Sequence, residues 1–219
     1  MKFEDIEFKK MGLTNKNRRE MSKDKTMKKY QIIYADPPWK QAKGGKKSVR
    51  PKSSGGELDY PTISLEEIKS ILEKAKGLGE ENHNLFLWAI DKTLWDAEQM
   101  AKELGYKLHA RMIWNKVTGI PAAFTIRFGH EYLLWFYQGK LLPIAKEERG
   151  KWHSVLTEQA KRHSQKPEIA YQFIESIYPS VSKLELFARK KRVTLFGENW
   201  DVWGNEVESD IELLKSAKG

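Results

Sequence analysis

Two periodicities alternate along this chain, and their order predicts most of its architecture. Residues 30–35, Tyr-Gln-Ile-Ile-Tyr-Ala, form a β-branched and aromatic run that predicts a buried strand. An apolar run over 84–89 predicts a second strand, and the looser alternation over 107–115 a third. An aromatic-rich run over 131–137 and an apolar one over 183–188 complete the set. Between them the spacing becomes helical. Ser64 followed by Glu66 and Glu67, then Ile68, Ile71 and Leu72, is an N-capped amphipathic pattern. A helix over 92–104 is stopped by Gly105. Another over 167–177 opens with Pro167 in its first turn, where a missing N–H does no harm. Apolar strands interleaved with helices predict an α/β fold, a mostly parallel sheet covered on both faces. Ligands of such sheets sit beyond the carboxyl ends of the strands. The ends on offer are 36–39, 89–91, 114–116 and 185–189.

The first of these ends reads Asp36-Pro37-Pro38-Trp39. Neither proline can donate to a ladder and each fixes its own φ, so the strand ends in a stiff turn. That turn displays one carboxylate, two bare carbonyls and an indole. The set suits a flat base carrying an exocyclic amine. Asp36 and the Pro37 carbonyl each accept one amine hydrogen, Trp39 stacks on the ring, and Tyr60 offers a second wall. The alternative is a structural turn in which Trp39 belongs to the core.

Charge adds a second clue. The net charge is +9, and the excess lies in two segments. Residues 1–29 hold ten basic and five acidic side chains; residues 40–56 hold six basic and none acidic. A basic run beside a base-gripping turn suggests a polyanion near the site, with Lys40, Lys46, Lys47 and Arg50 as phosphate contacts. A solvated linker or general lysine enrichment is the competing reading. The glycines at 43–56 predict a mobile loop able to close over the site.

At 219 residues the length fits one domain, expected over 30–207 between a basic extension at 1–29 and a tail at 208–219. No run approaches the ~20 apolar residues that span a bilayer, and the amino terminus lacks the apolar core of a secretory signal. With no cysteine, disulfides and thiolate metal sites are excluded, which fits a reducing cytoplasm. Five scattered histidines show no ligand spacing, so no metal is expected. Internal repeats, glycine-rich dinucleotide motifs and P-loops are absent.

Further segments follow in a recognisable order: Tyr60-Pro61-Thr62-Ile63-Ser64, Leu85-Phe86-Leu87-Trp88, Ile113-Trp114-Asn115-Lys116 and His163-Ser164-Gln165-Lys166-Pro167. Leu184-Glu185-Leu186-Phe187-Ala188-Arg189 and Asn199-Trp200-Asp201-Val202-Trp203-Gly204-Asn205-Glu206 close the series. With Asp-Pro-Pro-Trp, this set resembles the adenine-N6 methyltransferases named after the seventy-kilodalton subunit of the mRNA adenosine methyltransferase. The resemblance implies a Rossmann-like, S-adenosylmethionine-dependent fold in permuted order, the catalytic motif preceding the main cofactor motif. It implies Asp36, Pro37, Pro38 and Trp39 as the catalytic turn. It implies cofactor contacts at Asp36, Ser164, Lys166, Pro167, Glu185, Leu186, Phe187 and Arg189, with Asn205 and Glu206 at the ribose. Arg127, His130 and Glu131 match a loop that faces substrate and cofactor. The stretch 190–198 is longer than in the mRNA-modifying relatives. The implied reaction is methyl transfer to the N6 amine of adenine in DNA. RNA, cytosine-N4 transfer and a catalytically silent nucleic-acid-binding subunit are the alternatives. Pairing with a second copy or a second subunit belongs to the same expectation.

Overall fold

A computed structural model describes residues 28–40, 62–118, 120, 125–161, 165–193 and 200–213. The loop expected at 43–56 and the extension at 1–27 lie outside the described residues, as do Lys46, Lys47, Arg50, Tyr60 and Ser164.

In chain order the elements are β1 (Tyr30–Ala35), α1 (Leu65–Gly77), β2 (Gly79–Ala89), α2 (Leu94–Glu103), β3 (Lys107–Asn115), β4 (His130–Gln138), β5 (Val155–Thr157), α3 (Glu168–Ile177), β6 (Lys183–Leu186) and β7 (Asp201–Trp203). The strands form a seven-stranded sheet in the order β5-β3-β4-β2-β1-β6-β7. Four of the strand pairings are parallel, and β4 runs antiparallel to both its neighbours. The sheet is therefore mostly parallel, as expected, with one reversed strand inside it. That reversal brings the amino end of β4 to the rim where β2 and β3 end: His130 lies opposite Asn115, and Tyr132 opposite Ala89.

Strand alternation sends side chains to two cores. Ile33, Ala35, Leu85, Leu87, Leu184 and Leu186 pack with α1 and α2, which contribute Ile68, Leu72, Ala97 and Met100. Ile32, Tyr34, Phe86, Trp88, Met112, Trp114, Leu133 and Trp135 pack with α3 through Ala170, Tyr171, Phe173 and Ile174. The period of two fixes the site: Asp36 is in phase with Tyr34, Lys116 with Trp114, and Glu131 with Leu133, all toward α3. Connections through α1 and α3 leave opposite faces between β1 and β6, which makes that gap the switch point where α/β sheets take ligands.

Several boundaries differ from the sequence expectation. β2 starts at Gly79 because its first half, with exposed Glu80 and Glu81, is polar. The helix expected from 92 begins at Leu94, after a 3₁₀ turn over Asp91–Thr93. Pro167 stands one residue before α3 as its N-cap position, and β6 ends at Leu186. β5 and β7, three residues each, were not anticipated. The fold also runs past 207: Leu213 is 8% exposed within the α1/α2 core, and Asp210 accepts the Val202 amide at 3.0 Å. Among the described residues, no helix is long and apolar enough to cross a membrane.

Candidate active site

Asp36 follows the last residue of β1, and its side chain remains 28% exposed. Lys166 Nζ lies 2.8 Å from its carboxylate and 3.1 Å from that of Glu131. Glu131 in turn meets Lys116 Nζ at 2.6 Å. The four groups form one chain of alternating charge, Asp36–Lys166–Glu131–Lys116, along the carboxyl rim of the sheet. Its central members are nearly enclosed, with Lys166 11% and Glu131 12% exposed. Indoles flank it, Trp88 under Lys166 at 5.4 Å and Trp114 under Lys116 at 5.2 Å. Burial pushes the Asp36 carboxyl above its ordinary value, and Lys166 opposes that rise. Burial would also raise Glu131, but Lys166 and Lys116 together hold it below the usual range. For Lys166, burial disfavours the charge, yet Asp36 and Glu131 outweigh it and raise the ammonium.

The turn itself corrects the sequence reading in two respects. Its carbonyls are not bare: Pro37 O accepts the Trp39 amide at 2.9 Å, and Pro38 O accepts that of Ile63 at 3.2 Å. Each retains one free lone pair. Trp39 is not a stacking wall; it is 7% exposed within the core, and its Nε1 donates to Trp88 O at 2.9 Å. The indole thereby pins the turn to the end of β2.

Of the residues expected to face the cofactor, Glu185 to Arg189 and Asn205–Glu206 lie at or just beyond β6 and β7. Glu185 is 8% exposed and accepts the Tyr171 hydroxyl at 2.8 Å. Burial pushes its carboxyl up to about 7, against the pull of that hydrogen bond and of Arg192. Leu186 turns its side chain into the opposite core, so only its backbone reaches the rim. Phe187 has φ +61, and Val117 at the end of β3 has φ +59, strained values for side chains of this size. Strain of this kind collects at functional sites, and both residues lie just beyond strand ends. Gly204 lets β7 approach β6 closely, since a Cβ there would sit 2.0 Å from Ala188 O. This closeness brings the Arg189 guanidinium within 3.5 Å of Glu206, both well exposed, while Asn205 is exposed beside them. Pro167 is buried at the start of α3.

The described residues expected to face substrate separate. Lys40 is exposed next to the turn, and Arg127 is exposed with its Nη2 donating to Ile120 O. His130 and Glu131 occupy opposite faces of β4 by alternation. Glu131 joins the charge chain, whereas His130 lies against Tyr132, its Nε2 3.1 Å from the hydroxyl. Sequence reasoning assigned no role to Lys116, Tyr171 or Arg192. It also missed Glu158, whose carboxylate accepts the amides of Glu168 and Ile169 at 3.1 and 2.7 Å. An aspartate after a buried strand was legible from sequence; these partners were not, because sheet register sets them.

A seven-stranded, mostly parallel sheet with helices on both faces and a charged carboxyl rim is the fold of the Rossmann-like methyltransferases. The family model described as MT-A70 matches residues 30–206. The chain belongs to the MT-A70 family. It is 28% identical over 202 residues to the type II methyltransferase M.MunI of Mycoplasma sp, covering 85% of this chain and 82% of that one. It is 26% identical over 194 residues to the human N(6)-adenosine-methyltransferase catalytic subunit METTL3, and 26% identical over 198 residues to the MT-A70-like protein of Drosophila melanogaster. Those matches cover 85% of this chain but only 29% of each relative.

Proposed function

We propose that this chain transfers the methyl group of S-adenosylmethionine to the N6 amine of adenine in DNA. The observation that carries the proposal is the Asp36 carboxylate, partly exposed at the end of β1 and held at 2.8 Å by Lys166. The residues present fit the cofactor. Glu185 Oε2 is buried without a hydrogen-bond partner among the described residues, an acceptor suited to an ammonium. Asp36, Glu185, Lys166 and the β6–β7 rim would hold it. When bound, S-adenosylmethionine supplies an electrophilic methyl group on a sulfonium.

The protein's task is to make a poor nucleophile present its lone pair. An adenine amine delocalises that pair into the ring. Asp36 and the remaining lone pair of the Pro37 carbonyl accept the two amine hydrogens and favour a pyramidal nitrogen. Only an ionised Asp36 accepts in this way, and Lys166 favours that form against burial. Glu131 and Lys116 fix Lys166 in turn. Holding the amine in line is potentially worth ~7–11 kcal/mol. A duplex hides this amine, so the base must be flipped out or already unpaired. With the Trp39 indole buried, Tyr60 is the wall that stays eligible for stacking.

DNA is favoured over RNA because the type II methyltransferase is matched over 82% of its length, and the relatives named for adenosine over 29%. RNA is the second reading, supported by those names. One assay separates them: labelled cofactor with single- and double-stranded DNA and RNA, followed by nucleoside analysis. N6-methyldeoxyadenosine is expected; methylcytosine, or product from RNA alone, would overturn the proposal. In the same assay Asp36→Asn should lose at least about a hundredfold in rate while folding normally. An undiminished rate would remove Asp36 from the chemistry.

A further inference from the structure

A phenylalanine would fill the place of Tyr34 with nothing polar to satisfy, yet this residue of β1 keeps a hydroxyl at 0% exposure. It precedes Asp36 by two positions and packs on the same side, toward α3. Its oxygen accepts the Trp88 indole N–H at 2.6 Å. Trp88 can only donate, so the Tyr34 proton turns the other way, to the hydroxyl of Tyr171. Tyr171 gives its own proton to Glu185 Oε1 at 2.8 Å. The result is a one-way chain of buried hydrogen bonds, Trp88 to Tyr34 to Tyr171 to Glu185, beneath the charged rim. Burial raises both phenols well above their ordinary value, so neither gives up its proton.

The first member of this chain is also the bed of the central ammonium. Lys166 Nζ lies over the Trp88 ring, 5.4 Å from its centroid, and 2.8 Å from Asp36. An ammonium over a ring keeps its place only while the ring keeps its plane. The Trp88 backbone is set by β2, where its carbonyl accepts Trp39 Nε1. The tilt of its indole is set by the bond to Tyr34 and by an edge contact with Trp114, centroids 6.1 Å apart. Without the Tyr34 oxygen the N–H is buried with no acceptor, a penalty that a turn of the ring relieves.

We propose that Tyr34 is a positioning residue for methyl transfer: its hydroxyl holds the Trp88 indole in the plane that seats Lys166 against Asp36. This rests on the function proposed above, in which Lys166 favours the ionised Asp36 that grips the amine. Asp36 is faced by Lys166 ahead of α3, Glu131 of β4, Glu185 of β6 and Arg189 beyond it. Of these four, Lys166 is the one that rests on Trp88. Loosening Lys166 therefore removes the largest pull that opposes burial, and the Asp36 carboxyl rises further.

The test follows kcat against pH on the full chain, with labelled cofactor and whichever of single- or double-stranded DNA or RNA the parent methylates. Tyr34→Phe should lower kcat about tenfold at pH 6, and the loss should shrink as pH rises, because the acid limb has moved upward. In Lys166→Met, which lacks the ammonium, adding Tyr34→Phe should cost less than about twofold and move the limb no further. Trp88→Phe keeps a ring face but drops the N–H; it should reproduce the Tyr34→Phe profile, and serves if that variant does not fold. An unimpaired Tyr34→Phe, a loss equal at every pH, or one that multiplies in full with that of Lys166→Met would each overturn the role, the last two showing a merely structural tyrosine. If the parent methylates none of the four nucleic acids, the function proposed above falls and this role with it. If the parent is active and Lys166→Met is impaired, but Tyr34→Phe is as active as the parent, only the role of Tyr34 falls.

Discussion

Burial leaves the Glu185 carboxyl poised close to neutral pH. Its carboxyl stands near 4.5 in an unfolded chain, and burial pushes it to about 7 in the folded one. Between those values the folded protein retains a proton that the unfolded chain has released, so stability falls as pH rises through the interval. Asp36, raised by burial, acts in the same direction. Other groups act oppositely, Glu131 and His83 among them. Glu131, held low by Lys166 and Lys116 against burial, withdraws stability as pH falls through the acid range. His83, lowered by burial, adds stability as pH rises through 6.5. Comparison with Glu185→Gln therefore isolates the one contribution. Without ligand, going from pH 5 to 7.5 should destabilise the parent more than the variant, by up to about 3 kcal/mol in urea unfolding. Equal losses would show that Glu185 is ionised throughout.

Among the elements, α3 depends most on a distant residue. Its N-terminal position is Pro167, which has no side chain able to cap, and the Glu158 carboxylate accepts two of the first amides instead. Glu158→Ala should cost about 1–2 kcal/mol in urea unfolding and weaken cofactor binding, since Lys166 immediately precedes the helix. A loss within 0.3 kcal/mol or so would mean that solvent serves the helix equally well. The same elements show what the sequence could and could not say. β1 and the Ser64 cap were legible because their signals are local: an apolar run ended by prolines, and a reciprocal bond between Ser64 and Glu67. β5 and β7 were not, since three residues carry too little periodicity to register. Asp36 was legible as a motif. Glu131 was named only through the resemblance, and its link to Lys116 was not legible, because the antiparallel pairing of Trp114 with Glu131 unites them. Nor was the partner that pins Trp39 in the core, an acceptor 49 residues away.

For the molecule as a whole, the net charge of +9 is carried unevenly, and residues 40–56 hold six basic side chains directly after the Asp-Pro-Pro-Trp turn. If these meet phosphates, replacing Lys43, Lys46, Lys47, Arg50 and Lys52 by glutamine should flatten the salt dependence of DNA affinity. Each lost contact should reduce the slope of log K against log salt by about 0.9, readable by fluorescence anisotropy. An identical slope would place the contacts elsewhere. The reversed strand has another outcome. Because β4 returns to the edge from which β3 departs, the chain leaves at Lys116 and re-enters at Gly129, where Lys116 N meets Gly129 O at 2.9 Å. Both ends of the intervening segment stand beside the Asp36–Lys166–Glu131–Lys116 chain of charge. Because the β3–β4 pairing alone sets where those two ends stand, a change of length between them leaves the sheet register and the charged rim in place.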